Sequence, residues 1–428
     1  MDRESMGSVP RKEQSTFARN GFKRVDLAYV ELASSEIARD INRDIVLEIV
    51  RSQQPVSRAD LSRSSGLQPS TVSSIVEQLK SENWIVEGAV VRTPRGRRPT
   101  LLSLNDELVI LVADLRPSKA ILAIVDLNGR FLAHEEIRIY SDPERSVAVM
   151  IDTMLALRSR FAKKTFEGIG ISVPGRVDPE TQRLILAPNL KWSDYDMKTE
   201  VQTRMGLKVE MDNDANAGLL SELWFGRMDG IHNAVLISLS EGLGTAILAN
   251  GQIVSGLNGL AGEFGHIPVD PDGPLCGCGK RGCWETLASS DAALRFYEEI
   301  HPGSRLRSVQ DLLRMVEEGD AEATGAVERQ ARHLGRGLRL ITAALSPELI
   351  LVTGALTTCW SKFGPVVEEE LRAGILAGSP PRLETTTEGE LARLRGAAAI
   401  VLQRHSGYNR STRSNGKPTA GRKPHASP

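Results

Sequence analysis

From about residue 106 to residue 404 the chain alternates short apolar runs with longer stretches of helical period. The runs LVILVADL (108–115), AILAIVDL (120–127), GIGISVPG (168–175), AVLISLS (234–240) and LILVTGAL (349–356) carry the strand signal. Strands separated by helical segments specify an α/β fold. Gly-bounded strand clusters near 108–175 and 234–250 predict two related lobes around a cleft. With 428 residues and 41% hydrophobic content, more than one core is expected, because a single core stops growing at roughly 250–300 residues.

The formal net charge of -1 excludes a uniformly basic nucleic-acid coat, so contact with DNA requires a local cluster of Arg and Lys. Residues 92–98 supply one. No run approaches the roughly 18 apolar residues a membrane helix needs, and the opening MDRESMGSVPRKEQSTF lacks an apolar signal core. The expectation is a cytoplasmic protein without membrane contact. Residues 1–35 show no sustained periodicity and are expected to form a disordered leader. The segment 405–428 is expected to be a disordered basic tail, with Arg410, Arg413, Lys417, Arg422 and Lys423 and no acidic residue.

Residues 36–98 have the pattern of a winged helix-turn-helix. Ile41, Ile45 and Ile49, with Val46 and Val50, are expected to line one face of a first helix. Ser57 and Asp60 form a capping box at the start of a second, and Gly66 ends it in a tight turn. Pro69 opens a third helix, whose Val72, Ile75, Val76 and Leu79 make an apolar stripe. Gln68, Ser70, Thr71, Ser73, Ser74 and Gln78 are left as polar groups able to enter a major groove. Trp84–Glu87 and Ala89–Arg92 are expected as two strands turning at Gly88. Beyond them Arg92, Arg95, Arg97 and Arg98 form a Gly/Pro-stiffened wing suited to phosphate or minor-groove contact. Residues 99–105 are expected to be a linker, and 106–404 a ligand-binding domain.

The four cysteines are distributed unevenly: Cys276, Cys278 and Cys283 fall in one window shortly after His266, whereas Cys359 stands alone. Three thiolates and one imidazole make a complete tetrahedral set for structural zinc and leave no open position for hydrolytic chemistry. Gly277, Gly279 and Gly282 free the backbone so that the sulfurs can converge.

Four segments together resemble the ROK family of repressors, uncharacterised reading frames and sugar kinases, on its regulator branch. They are SVPGRVDPETQRLILAPNLKW (172–192), DNDANAGLLSELWFG (212–226), GLAGEFGHIPVDPDGPLCGCGKRGCWETLAS (259–289) and LSPELILVTGAL (345–356). The resemblance runs from about Ile41 to Gln403. It implies an actin-like or hexokinase-like (ribonuclease H-like) pair of lobes with a sugar in the cleft. It puts Gly175 and Arg176 beside the sugar, Asn213 and Asp214 on its hydroxyls, and Glu263, His266 and Glu285 around the remainder, with His266 serving sugar and metal together. Carboxylates, an amide and an imidazole suit a dense array of hydroxyls. Taken singly, Asp212, Asn213 or Asp214 can equally cap the helix that follows.

In the kinases of this family the residue matching Asp214 is the general base. The phosphate loops are altered here. The family's Asp-x-Gly-Gly-Thr turn reads Asp114-Leu115-Arg116-Pro117-Ser118, and its Gly-Thr-Gly loop reads Ser240-Glu241-Gly242. Pro117 has no N–H to offer a phosphate. Glu241 would oppose a phosphate at about 4 Å by several kcal/mol at an effective dielectric near 20. The late glycine pair is reduced to Thr353-Gly354-Ala355. The expectation is a non-enzymatic regulator that takes no ATP and answers to a sugar or sugar phosphate. It would bind operator DNA as a homodimer or homotetramer. The competing expectations are a sugar kinase with a DNA-binding appendage and an architectural DNA binder with an inert cleft.

Overall fold

The computed structural model describes residues 35–90, 100–226, 228, 230–304, 306, 308–375, 378–386 and 391–403. Two five-stranded sheets form the α/β portion. In the first, Leu108–Leu115 is central. Thr165–Val173 and Val209–Asn213 lie parallel to it on one side, and Lys119–Asp126 and Phe131–Arg138 fold back as antiparallel neighbours on the other. The second sheet repeats this plan about Ala234–Leu239. Leu349–Gly354 and Arg382–Thr385 run parallel on one side, and Leu243–Ala249 and Gln252–Ile253 form the antiparallel meander on the other.

All eight residues of Leu108–Leu115 are buried. Val109, Leu111, Ala113 and Leu115 pack with Met150, Met154 and Val201 of helices Pro143–Arg160 and Met197–Met205. Leu108, Ile110 and Val112 face the other way, onto Ala397 and Val401 of helix Leu391–Gln403. A strand covered on both faces has no solvent side to alternate with, which is why its sequence reads as a continuous apolar run. The second lobe buries its sheet beneath helices Ser290–Ile300, Val309–Glu317, Ala321–Leu345 and Trp360–Arg372.

The N-terminal module holds helices α1 (Ser35–Gln53), α2 (Arg58–Ser65) and α3 (Pro69–Ser81). Ser57 and Asp60 exchange the two bonds of the capping box, 3.1 Å from the Ser57 N–H and 3.2 Å from the Asp60 N–H. Gly66 closes α2 at φ 70°, left-handed backbone that glycine adopts without strain. Val72, Ile75, Val76 and Leu79 are the buried face of α3.

Three expectations for this module require correction. On α1, Ile41 and Ile45 are each 40% exposed, and Val46, Leu47 and Val50 are buried. The buried stripe is turned because Arg43 occupies its first position, with its guanidinium 2.5 Å from Glu82 and 5.8 Å from the Trp84 ring centre. Gly88 is not a turn: one strand, Ile85–Val90, runs through it, with a register shift between Glu87 and Val90. Residues 100–104 are not a linker. Thr100–Leu104 is the middle strand of a three-stranded sheet, antiparallel to both Ile85–Val90 and Val56–Ser57, with Leu102 and Leu104 in the core.

The module joins the first lobe directly. Val46, Leu61, Val76 and Trp84 share one apolar cluster with Leu108, Ile110 and helix Leu391–Gln403. Gln54 accepts from the Leu104 N–H at 2.8 Å and donates to the Asn128 side chain at 2.7 Å. Among the described residues, no helix is long and apolar enough to cross a membrane.

Helix Leu391–Gln403 lies backbone to backbone on helix Asp214–Phe225, since a Cβ at Gly396 would be 1.8 Å from the Ala217 carbonyl oxygen. Gly396→Ala is therefore expected to lower unfolding stability by about 1–3 kcal/mol or more. Gly325, in helix Ala321–Leu345, has open space where its Cβ would go. Gly325→Ala should raise stability by up to about 1 kcal/mol. Denaturant midpoints check both, and an unchanged midpoint in Gly396→Ala would refute the close helix contact.

Candidate functional site

A cleft of about 960 Å³ is lined by Asn213 of the first sheet, by Thr245 and Gln252 of the second, and by Arg176, Asn216 and Glu263 from outside the two sheets. Helix Asp214–Phe225 starts at its floor. Asn213 is the N-cap of that helix: its side-chain oxygen accepts from the Ala215 N–H at 2.8 Å, and its amide donates to the Gly175 carbonyl at 2.8 Å. A capped N-terminus draws the backbone of this run to the cleft floor and concentrates polar groups there. Gly175 is a close-approach position, where a Cβ would meet the Leu186 carbonyl oxygen at 2.4 Å. Asp212 accepts from the Asn213 N–H at 2.7 Å and from the Asn216 side chain at 2.8 Å.

Of the residues expected around a sugar, Arg176, Asn213 and Glu263 line the cleft. Asp214 lies behind its floor, facing Arg393. His266 lies beside Glu263, with Nε2 3.7 Å from the Glu263 carboxylate. Glu285, expected beside the sugar, has one oxygen on the Leu243 N–H at 3.1 Å and the other on the Cys276 thiol at 3.6 Å. It therefore ties the cysteine loop to strand Leu243–Ala249. Thr245, Gln252 and Asn216 line the cleft and were not singled out from sequence. Asn216 had a readable signal, because it stands four residues after Asp212, in the first turn of the helix that follows.

The altered turn at Asp114 and Arg116 sits in a buried charge cluster. Asp114 accepts from Arg116 Nε at 2.8 Å and from the Ser172 hydroxyl at 3.1 Å. Arg393, which sequence reasoning did not single out, lies 3.1 Å from Asp214 and 3.7 Å from Asp114. The two partners do not shift alike. Burial pushes the Asp214 carboxyl up despite the opposing pull of Arg393. Burial also works against the Arg393 charge, but Asp114, Asp214 and Glu241 outweigh it and hold the guanidinium above its ordinary range. Arg116 and Arg393 are thus already paired to the chain's own carboxylates.

His266, Cys276, Cys278 and Cys283 come together with all four ligand atoms within 4.8 Å of one another. His266 Nδ1 is 3.5 Å from Cys276 Sγ, and Cys278 Sγ is 3.6 Å from Cys283 Sγ. Sulfurs on one tetrahedral ion with bonds of about 2.3 Å stand roughly 3.8 Å apart, so these four residues can hold a metal ion. Burial pushes the Cys276 thiol up to about 12. The backbone N–H of Lys280 holds the Cys278 thiol below its ordinary value. The loop closes through Gly282 at φ 60°, where a Cβ would collide with the Asp270 carbonyl oxygen at 1.5 Å. Trp284 anchors it, donating to the His333 carbonyl at 2.9 Å in a groove made by Gly337.

On α3, Gln68, Ser70, Ser73 and Ser74 are exposed, and Thr71 and Gln78 are half-buried. Gln78 is engaged within the module: it donates to Glu82 at 2.8 Å and accepts from Arg39 at 3.3 Å. Arg92, Arg95, Arg97 and Arg98 lie outside the described residues.

The profile of the ROK family matches residues 114–404. A xylose repressor of Bacillus spizizenii is 29% identical over 384 residues, which cover 87% of this chain and 98% of that repressor. The solved structure of a ROK family transcriptional regulator, a homolog of the E. coli MLC protein, superposes at TM-score 0.77 with 28% identity, covering 89% of this chain and 100% of that one. A ROK family glucokinase from Streptomyces griseus, solved with glucose and AMPPNP, superposes at TM-score 0.62 with 29% identity, and 99% of it is matched by 69% of this chain. The two sheets described above are the hexokinase-like pair of lobes that the sequence resemblance implies. By its profile, its relatives and its fold, the chain belongs to the ROK family.

Proposed function

We propose that the chain is a sugar-responsive, DNA-binding transcription regulator, a repressor of carbohydrate-utilisation genes that releases operator DNA when a monosaccharide fills the cleft. The observation that carries this reading is that Arg116 and Arg393 are spent on Asp114 and Asp214 where a kinase would hold nucleotide phosphates. The cleft next to them keeps an array of amides and carboxylates. Similarity to a xylose repressor and to a ROK transcriptional regulator, each over nearly nine-tenths of the chain, supports it as well.

Helix Asp214–Phe225 supplies a route from ligand to DNA. Its first turn touches the cleft, and at its far end the Trp224 carbonyl accepts from Arg51 of α1. Its 12 residues at about 1.5 Å each span roughly 18 Å. A shift of the cleft floor therefore reaches the DNA module through one rigid element. In this reading Gln68, Ser70, Thr71, Ser73 and Ser74 meet base edges, and Arg92, Arg95, Arg97 and Arg98 meet phosphates. Gln78 sits at the helix end that meets α1 and contributes through its bonds to Arg39 and Glu82. Paired modules of a homodimer or homotetramer would face a pseudo-palindromic site. The His and Cys set takes structural zinc, which would fix the loop behind Glu263 and Glu285.

DNA binding is tested on sites selected from random duplexes. Replacing Arg97 and Arg98 together by Ala should weaken binding on every probe and flatten the salt dependence by about 0.9 per lost phosphate contact. Changes at Ser70 or Thr71 should alter preference between probes, and gel shifts unmoved by either set would dismiss these assignments. For the metal, elemental analysis should find zinc bound, with Cys278→Ser losing it and melting at a lower temperature. A metal-free parent that melts as the supplemented protein does would count against the zinc assignment. With ATP and a panel of hexoses, ADP release should stay at background. Turnover that disappears in Asp214→Asn would instead identify a working kinase.

A further inference from the structure

We propose that a second pocket, between the cysteine loop and helices Ser290–Ile300 and Ala321–Leu345, binds a small metabolite through a phosphate or carboxylate group and so fastens the loop to the helices. The pocket holds about 360 Å³, room for a small molecule, and shares no lining residue with the cleft. Neither its geometry nor its chemistry depends on what fills the cleft. Leu287 and Phe296 give it a buried apolar wall. Three guanidiniums line the rest, Arg281 from the loop, Arg295 from the first helix and Arg329 from the second.

The three cations are unevenly met. Arg329 pairs with Glu299 at 2.5 Å and lies on the Phe296 ring, 3.9 Å from its centre. Arg295 donates a terminal N–H to the Thr286 carbonyl, but its Nε is buried without a hydrogen bond, and the Glu299 carboxylate already held by Arg329 stands 3.9 Å away. Burial, aided by Arg329 and opposed by Glu299, holds the Arg295 guanidinium below its ordinary range. Arg281 donates to the Gly273 carbonyl at 3.3 Å, and among the described residues no carboxylate pairs with it. The other carboxylates of the pocket are Asp270, with one oxygen on the Asp272 N–H at 3.2 Å, and the exposed Asp272. Helix Ala321–Leu345 adds positive charge beyond the pocket, where Arg332, Arg336 and Arg339 share the Glu370 carboxylate at 3.4, 3.3 and 2.9 Å.

A half-buried guanidinium with an unmet N–H is costly, and its planar fork is completed best by the two oxygens of a phosphate or carboxylate. Arg281 stands between the ligands Cys278 and Cys283, on an arm bridged back to Leu275 and tied through the Gly282 N–H to the Pro274 carbonyl at 2.8 Å. An oxyanion shared by Arg281 and Arg295 would therefore clamp the metal-ligand hairpin onto helix Ser290–Ile300.

The test is calorimetric titration of the full-length protein at constant ionic strength, so that charge screening is equal throughout. Inorganic phosphate and glycerol 3-phosphate form the phosphate arm, acetate and succinate the carboxylate arm, and chloride the control. At least one of the four probes should bind at one site per chain and raise the melting temperature, where chloride does neither. The arm that responds identifies the group. Arg281→Met, at an exposed position that folding does not depend on, should weaken that binding by about tenfold or more, and Arg295→Met should do the same. Arg314→Met, on the neighbouring helix Val309–Glu317, should bind as the parent does. Amide hydrogen exchange across residues 270–283 should slow when the probe is added. Probes that bind no better than chloride, binding that survives in both Arg281→Met and Arg295→Met, or a loop whose exchange is unmoved would overturn the proposal.

Discussion

Arg393 reaches from the last described helix to two carboxylates on separate parts of the fold. Asp114 ends the central strand of the first sheet, and Asp214 begins the helix on the cleft floor. Withdrawing three charges from water is worthwhile only when each meets its partners, and removing one member of such a set costs on the order of 3–5 kcal/mol. That constraint seats helix Leu391–Gln403 against helix Asp214–Phe225 and brings Gly396 onto the Ala217 carbonyl. The same helix then presents Ala397 and Val401 to the core shared with the DNA module. One ionic junction accordingly sets the position of the cleft floor, the lobe and the N-terminal helices together.

On the proposed reading, the cluster accounts for a kinase-like cleft that takes no nucleotide without losing its shape. Phosphates and their counterions would bring charges of both signs to this junction. Here the chain supplies both, from Asp114 and Asp214 on one side and Arg116 and Arg393 on the other. Glu241 adds to the field that holds Arg393 charged. On that reading internal pairing stands in for phosphate binding, with the two sheets and their order retained.

Much of the fold was legible because period and burial agree. The apolar runs at 108–115, 234–240 and 349–356 are strands buried on both faces, and the α3 stripe is buried residue for residue. The metal-ligand set was legible because chemistry and spacing coincide in one window. Other features depended on contacts between distant segments. Arg43 hides a turn of the α1 stripe, since its burial depends on Glu82 and Trp84 some forty positions away. Arg393 carries no local signal, as its partners stand in a strand and at a helix start far upstream. Residues 100–104 read as a connection because five residues after a polar loop give too little alternation to show that Leu102 and Leu104 are a central strand.

The shared core of the DNA module and the first lobe bears on how such regulators can be recombined. A chimera cut between residues 90 and 108 would strip the cover from Leu108, Ile110 and Val112 and leave Trp84 and Leu61 facing a foreign surface. A transplant of the reading head must carry the Leu391–Gln403 helix with it, although that segment lies at the opposite end of the chain. Specificity for DNA and the architecture of the sensor are therefore inherited as one unit.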